Sequence, residues 1–162
     1  MTDPVVAVLG ATGAVGNVVL NVLAERTFPC RELIPLASSR SAGKNISFGG
    51  REHIVREATP ESFAGIDLVF SAVDSSVSRE LVPHAVSAGA IVIDKTSAWR
   101  YEDDVPLVIP EVNPDDIDGH NGIISCPNCS TIQMVMALAP LEHAFGLERV
   151  IVSTYQSVSG AR

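Results

Sequence analysis

Five consecutive apolar residues, Val5–Leu9, run directly into three glycines spaced three residues apart, Gly10, Gly13 and Gly16. An unbroken apolar run of this length suits a strand buried on both faces, as strands of parallel sheets are. Gly10 permits a tight turn, Gly13 lets backbone N–H groups approach an anion, and Gly16 lets a following helix lie close to the strand. Beyond the turn, Val15, Val18, Val19, Val22 and Leu23 recur at helical spacing and predict a helix over residues 15–26. A strand, a glycine-rich turn and a helix in that order are a variant of the dinucleotide-binding fingerprint, with a pyrophosphate at the helix start. The competing reading is a plain strand–helix turn whose glycines serve packing alone.

The rest of the chain alternates in the same way. Strands are expected at residues 33–37, 66–72 and 90–94, and short ones at 107–109 and 122–125 on either side of a loop over 110–120. A helix is expected over 78–88, capped by one of the serines before it, and a longer one over 130–145. Residues 43–58 are polar and broken by glycine, with alternation around His53, and predict a short hairpin or edge segment. Residues 149–155 are strongly strand-like. The chain then stops within a small-residue turn, which reads as an N-terminal piece of a longer polypeptide.

The second feature that carries chemistry is the run Cys126, Pro127, Asn128, Cys129, followed by Ser130, Thr131 and an apolar stretch. It places Cys129 at the start of a helix, where the partial positive charge of the N-terminus favours a thiolate. A nucleotide site and an activated thiol in one chain point to nucleophilic catalysis coupled to hydride transfer. Cys126 and Cys129 also have the spacing of a redox pair or of half a zinc site, but no second such pair occurs and Cys30 is remote.

Composition narrows the alternatives. The 162 residues can form one domain with a sizeable core, and 46% hydrophobic against 19% charged residues suit an α/β interior. A formal charge of -8 and 5% aromatics argue against nonspecific binding to nucleic acid or to anionic membranes. No apolar run reaches the roughly 20 residues of a membrane span. The N-terminus lacks a secretory pattern, and three cysteines, an odd number, make a poor disulfide framework. A reducing cytoplasm is the expected location.

Seven motifs then occur in order: GATGAVG at 10–16, ASSRSAG at 37–43, FSA at 70–72, DKTSAWR at 94–100, PEVN at 110–113, PNCST at 127–131 and YQSVSG at 155–160. Together they resemble aspartate-semialdehyde dehydrogenases from end to end of the chain. Related acyl-phosphate reductases fit less well, because their cysteine stands in a different context. The resemblance implies an α/β, Rossmann-like, mostly parallel sheet with flanking helices over 1–128, followed by the start of a truncated second α+β domain over 129–162. It implies NADPH-dependent interconversion of aspartyl phosphate and aspartate semialdehyde, with phosphate, through a cysteine thioester. In that reaction Cys129 is the nucleophile, Gln156 positions substrate against the thiol, Arg100 holds phosphate, and Asn128 orients the substrate or the developing oxyanion. Cofactor contacts are implied at Gly10, Thr12, Gly13, Ala14, Val15, Gly16, Ser39, Arg40, Ser41, Ser71, Ala72, Ser159 and Gly160, with no metal ligand. His53, His84, His120 and His143 match no catalytic motif and read as surface or structural residues.

The resemblance also places a general-base histidine, an arginine for the substrate carboxylate and most of a dimer interface beyond Arg162, in a parent that is a homodimer or homotetramer. Family members usually carry glycine where this chain has Arg162. Residues 36–41 contain no carboxylate of the kind that takes up ribose hydroxyls in NAD-selective folds. Ser39, Arg40 and Ser41 suit a 2′-phosphate instead, so the expected cofactor is NADP. A non-catalytic NADP-binding module remains the second reading of the chain on its own.

Overall fold

β1 (Val5–Leu9) lies at the centre of a six-stranded sheet and is buried along its whole length. In this computed structural model, which describes residues 2–157, its neighbours are β2 (Glu32–Ala37) and β6 (Leu68–Ser71), both parallel to it. The sheet continues through β7 (Ile91–Asp94) and β8 (Ile123–Ser125) on one side and ends in β5 (Arg56–Glu57) on the other. All of its pairings are parallel. With the small hairpin set aside, the order β5-β2-β1-β6-β7-β8 is the doubly wound 3-2-1-4-5-6 arrangement, and the switch point falls between β1 and β6.

The two faces of β1 read off its alternation. Val6 and Val8 pack with Leu20 and Leu23 of α1 (Ala14–Glu25), whereas Val5, Ala7 and Leu9 pack with Leu81, Val82 and Ala85 of α2 (Ser75–Ser87). Each crossover helix thus covers the opposite face from the other, which gives the three-layer architecture. Phe63 is fully buried on the α2 side, and its truncation to alanine would cost about 3–5 kcal/mol.

Residues 43–58 form both of the anticipated elements. β3 (Asn45–Phe48) and β4 (Arg51–Ile54) make an antiparallel hairpin, closed by Gly49 and Gly50 at φ 56° and 76°. Two consecutive positive φ values define a tight turn that matches strand twist. Two residues on, β5 joins the sheet as its edge.

Three expectations fail. α2 begins at Ser75, and its N-cap position is Asp74 rather than a serine, with no side-chain capping bond. The 107–109 run contributes only a single bridge, Leu107 to Ser125, closed by Val108 N–H to the Ser125 carbonyl and Ser125 N–H to the Pro106 carbonyl. The chain then turns at Ile109, whose carbonyl accepts from Val112 and Asn113. Residues 149–155 form no strand: Ile151 is 88% and Tyr155 99% exposed, and no ladder reaches them. A β-prone run becomes a strand only where another strand's N–H and C=O groups face it, and none does among the described residues. α3 (Cys129–Phe145) forms as expected, one residue earlier, and buries no residue of its own.

Candidate active site

The turn after β1 is shaped by contact as well as by spacing. Gly10 has φ +86°, and a Cβ there would lie 2.5 Å from the Ala72 carbonyl oxygen. A Cβ on Gly16 would collide with the Gly10 carbonyl. Glycine is therefore needed at both places to bring α1, the turn and the end of β6 together. Gly13 is the N-cap of α1 and its own N–H donates to Gly10 O at 3.0 Å. The N–H groups left to face an anion are those of the first helical turn, at Ala14 and Val15, which carries no acidic residue.

Above this turn lies an open cleft of about 990 Å³. Of the expected cofactor contacts, Gly10, Thr12, Gly13, Ala14, Val15, Ser39, Arg40 and Ala72 line it. Gly16 sits behind the turn, and Ser41 is held in the loop after β2, where its N–H donates to Ser38 O at 2.8 Å. Ser71 is buried below the cleft, its hydroxyl without a hydrogen-bond partner among the described residues. Ser159 and Gly160 lie outside the described residues. Sequence reasoning missed Glu57, Asp74, Glu80 and Lys95, which also line the cleft. Strand ends of a doubly wound sheet converge there, and that signal would have found Glu57 and Lys95.

The thiol stands apart from this cleft. Asn128 caps α3: its Oδ1 accepts from the Ser130 N–H at 3.1 Å and from the Ser130 hydroxyl at 2.8 Å. The cap leaves Cys129 exposed at the first helical position, with Sγ 3.8 Å from Asn128 Oδ1. Gln156 Nε2 reaches the same sulfur at 3.5 Å. Asn128, Ser130, Thr131 and Gln156 share a cleft of about 310 Å³ beside it. Cys129, Asn128 and Gln156 are thus brought together, although Gln156 lies 27 residues beyond Cys129 in sequence.

Arg100 is held differently from expectation. Its Nε donates to the Cys126 carbonyl and its Nη2 to the Lys95 carbonyl, both at 2.9 Å. The Nε–Nη2 edge, which would form a two-point grip on phosphate, is occupied by backbone. The remaining guanidinium N–H groups are left for an anion. Burial pushes the Cys126 thiol up, the Asp94 carboxylate adds to this, and the Arg100 charge opposes it. Burial likewise raises the Cys30 thiol. Cys126 and Cys129 are both free thiols, Cys126 partly buried and Cys129 exposed.

Asp94 anchors the loop between the two clefts. One carboxylate oxygen accepts from the Ser78 hydroxyl and the other from the Thr96 N–H, both at 2.7 Å. Trp99 Nε1 donates to Ser78 Oγ at 2.7 Å, and the Arg79 guanidinium covers the indole at 4.9 Å. In register across the sheet, Ser71, Asp94 and Ser125 form a buried polar row at the carboxyl ends of β6, β7 and β8. Of the histidines, His120 accepts from the Gly122 N–H at 3.0 Å and His53 stacks edgewise on Phe48, both structural uses.

Residues 5–120 match the family described as semialdehyde dehydrogenase, NAD binding domain. The chain belongs to the semialdehyde dehydrogenase family. Among its relatives, the aspartate-semialdehyde dehydrogenase of Bacillus subtilis (strain 168) is 56% identical over 156 residues, which is 96% of this chain and 45% of that protein. The crystal structure of Vibrio cholerae aspartate semialdehyde dehydrogenase II complexed with ASA matches at TM-score 0.86 and 44% identity, covering 91% of this chain and 49% of that one. The Candida albicans aspartate semialdehyde dehydrogenase with NADP matches at TM-score 0.75 and 33% identity, covering 90% and 48%. The chain spans about half the length of the relatives it matches.

Proposed function

We propose that the chain is the cofactor-binding and nucleophile-bearing part of an NADP-dependent aspartate-semialdehyde dehydrogenase, which converts L-aspartyl 4-phosphate to L-aspartate 4-semialdehyde. The observation that carries this is the meeting of Cys129 Sγ with Gln156 Nε2 at 3.5 Å at the start of α3, in a chain with a glycine-cradled nucleotide cleft.

The cleft suits a phosphorylated dinucleotide. A side chain at Gly10 or Gly16 would fill the space in which the turn lies against its neighbours. Ala14 and Val15 present N–H groups to a pyrophosphate, and Arg40 with Ser39 suits a 2′-phosphate. Bound there, the nicotinamide supplies the hydride. Cys129 attacks the acyl carbon of the acyl phosphate; the carbon–oxygen bond to phosphate breaks, and a thioester forms as phosphate leaves. The Gln156 amide and the Asn128 side chain orient the acyl group, and the free side of the Arg100 guanidinium receives the phosphate.

We assign residues 1–128 to the cofactor domain and 129–162 to the beginning of a catalytic and dimerisation domain. Three free cysteines fit a reducing cytoplasm, and the product fits a place in amino-acid biosynthesis leading to lysine, threonine and methionine. A homodimeric parent is the assembly we favour.

Turnover needs the remaining length of the relatives, where the resemblance places the general base. The test joins this chain to the C-terminal half of the Bacillus subtilis relative and assays phosphate-dependent oxidation of aspartate semialdehyde with NADP+. The fusion turns over, the isolated chain is slower by at least about 10²–10⁴-fold, and Cys129→Ala abolishes the activity of the fusion. Equal rates for chain and fusion, or activity surviving Cys129→Ala, contradict the assignment.

A further inference from the structure

The end of β2 offers no carboxylate, since Ala37 is followed by Ser38, Ser39 and Arg40. The fold nevertheless delivers one to the same place. β5 pairs with β2 so that Glu57 stands beside Ala37, one strand spacing (about 4.8 Å) away. Glu57 at the end of β5, and Ser39 and Arg40 just beyond the end of β2, all line the cleft. The neighbouring Arg56 is engaged by Glu32 at 3.2 Å, and Glu57 has no ion pair among the described residues.

We propose that Glu57 and Arg40 form an opposed pair that sets the choice between NADP and NAD, with Glu57 supplying from β5 the carboxylate that β2 lacks. The inference rests on the reading of the cleft as a pyridine-dinucleotide site. A carboxylate accepts hydrogen bonds from the ribose 2′ and 3′ hydroxyls and repels a 2′-phosphate; a guanidinium does the reverse. With both at the adenosine end, the chain takes NAD as well as NADP, Arg40 favouring the second and Glu57 restraining that preference.

Calorimetric titration of the whole chain with NADP+ and NAD+, and with 2′,5′-ADP and 5′-AMP as adenosine-half probes, tests this. Glu57 is solvent-exposed, so Glu57→Gln folds, which an unchanged melting midpoint verifies. The NADP+ to NAD+ affinity ratio rises about tenfold in Glu57→Gln and falls by about the same factor in Arg40→Ala, as the loss of one charge-assisted hydrogen bond dictates. The ratio of 2′,5′-ADP to 5′-AMP affinity moves in parallel, which locates the effect at the 2′ position. A ratio in Glu57→Gln within about twofold of wild type, or a change seen with the full dinucleotides but not with the half-probes, overturns the proposal. Binding of none of the four to the wild-type chain is a different result and overturns the cofactor reading itself.

Discussion

The Arg100 guanidinium donates to the backbone carbonyl of Cys126 at 2.9 Å, three residues ahead of the thiol at Cys129. The same side chain donates to Lys95 O, so one residue ties the loop after β7 to the segment that leads into α3. Its neighbour Trp99 is fixed through Ser78 to the buried Asp94. The guanidinium thereby holds the backbone at both Lys95 and Cys126.

Removing that side chain takes a donor from two part-buried carbonyls, those of Cys126 and Lys95. Arg100→Met is expected to destabilise the chain by about 1–3 kcal/mol, read as a lower urea midpoint. Arg100→Lys keeps the charge but not the two-point geometry and should recover only part of the loss. An unchanged midpoint in Arg100→Met would show that the two backbone contacts contribute nothing.

Cys129 is expected to be alkylated first of the three cysteines. It is exposed, while burial holds both the Cys126 and Cys30 thiols above their ordinary range and so lowers their thiolate fraction. Peptide mapping after brief labelling near neutral pH checks this. Labelling of Cys126 ahead of Cys129 would mean that the nucleophile has been assigned to the wrong residue.

The raised Cys126 thiol also makes stability depend on pH. The folded chain holds this proton more tightly than the unfolded chain, so the contribution is complete below the unfolded thiol value of about 8.5 and is lost as pH rises through the higher folded value. Cys30 acts in the same direction. Unfolding free energy should fall through the alkaline range above about pH 8.5, and Cys126→Ala should reduce that slope. An identical slope in wild type and Cys126→Ala removes the thiol as its source.

Gly16→Ala places a methyl group against the Gly10 carbonyl, a contact with a backbone atom that no rotamer relieves. The expected cost is about 1–3 kcal/mol with loss of nucleotide binding, because α1 must move away from the turn that presents its N–H groups. Thermal denaturation with and without NADP+ measures both effects.

Much of this arrangement was legible in the residues because local rules coincide there. The strand at Val5–Leu9, the glycine spacing and the helix after it all specify one turn, and Ser130 and Thr131 before an apolar stretch place a helix start at Cys129. What escaped depends on partners distant in sequence. The run at 149–155 has the composition of a strand, but a strand exists only in a ladder, and none forms for it among the described residues. Nothing in the residues around Arg100 announced that two backbone carbonyls use its inner edge. Glu57 lies 20 residues beyond Ala37 and becomes its neighbour only through the β2–β5 pairing.

The central claim is that the cleft over the Gly10 turn holds NADP, independently of α3. Amide NMR of the 162-residue chain during titration with NADP+ tests it most directly. Saturable shifts should concentrate at Thr12, Ala14, Val15 and Arg40, with the amides of α3 beyond its first turn left in place. Absence of a saturable shift at the Gly10 turn, or shifts confined to α3, would contradict it.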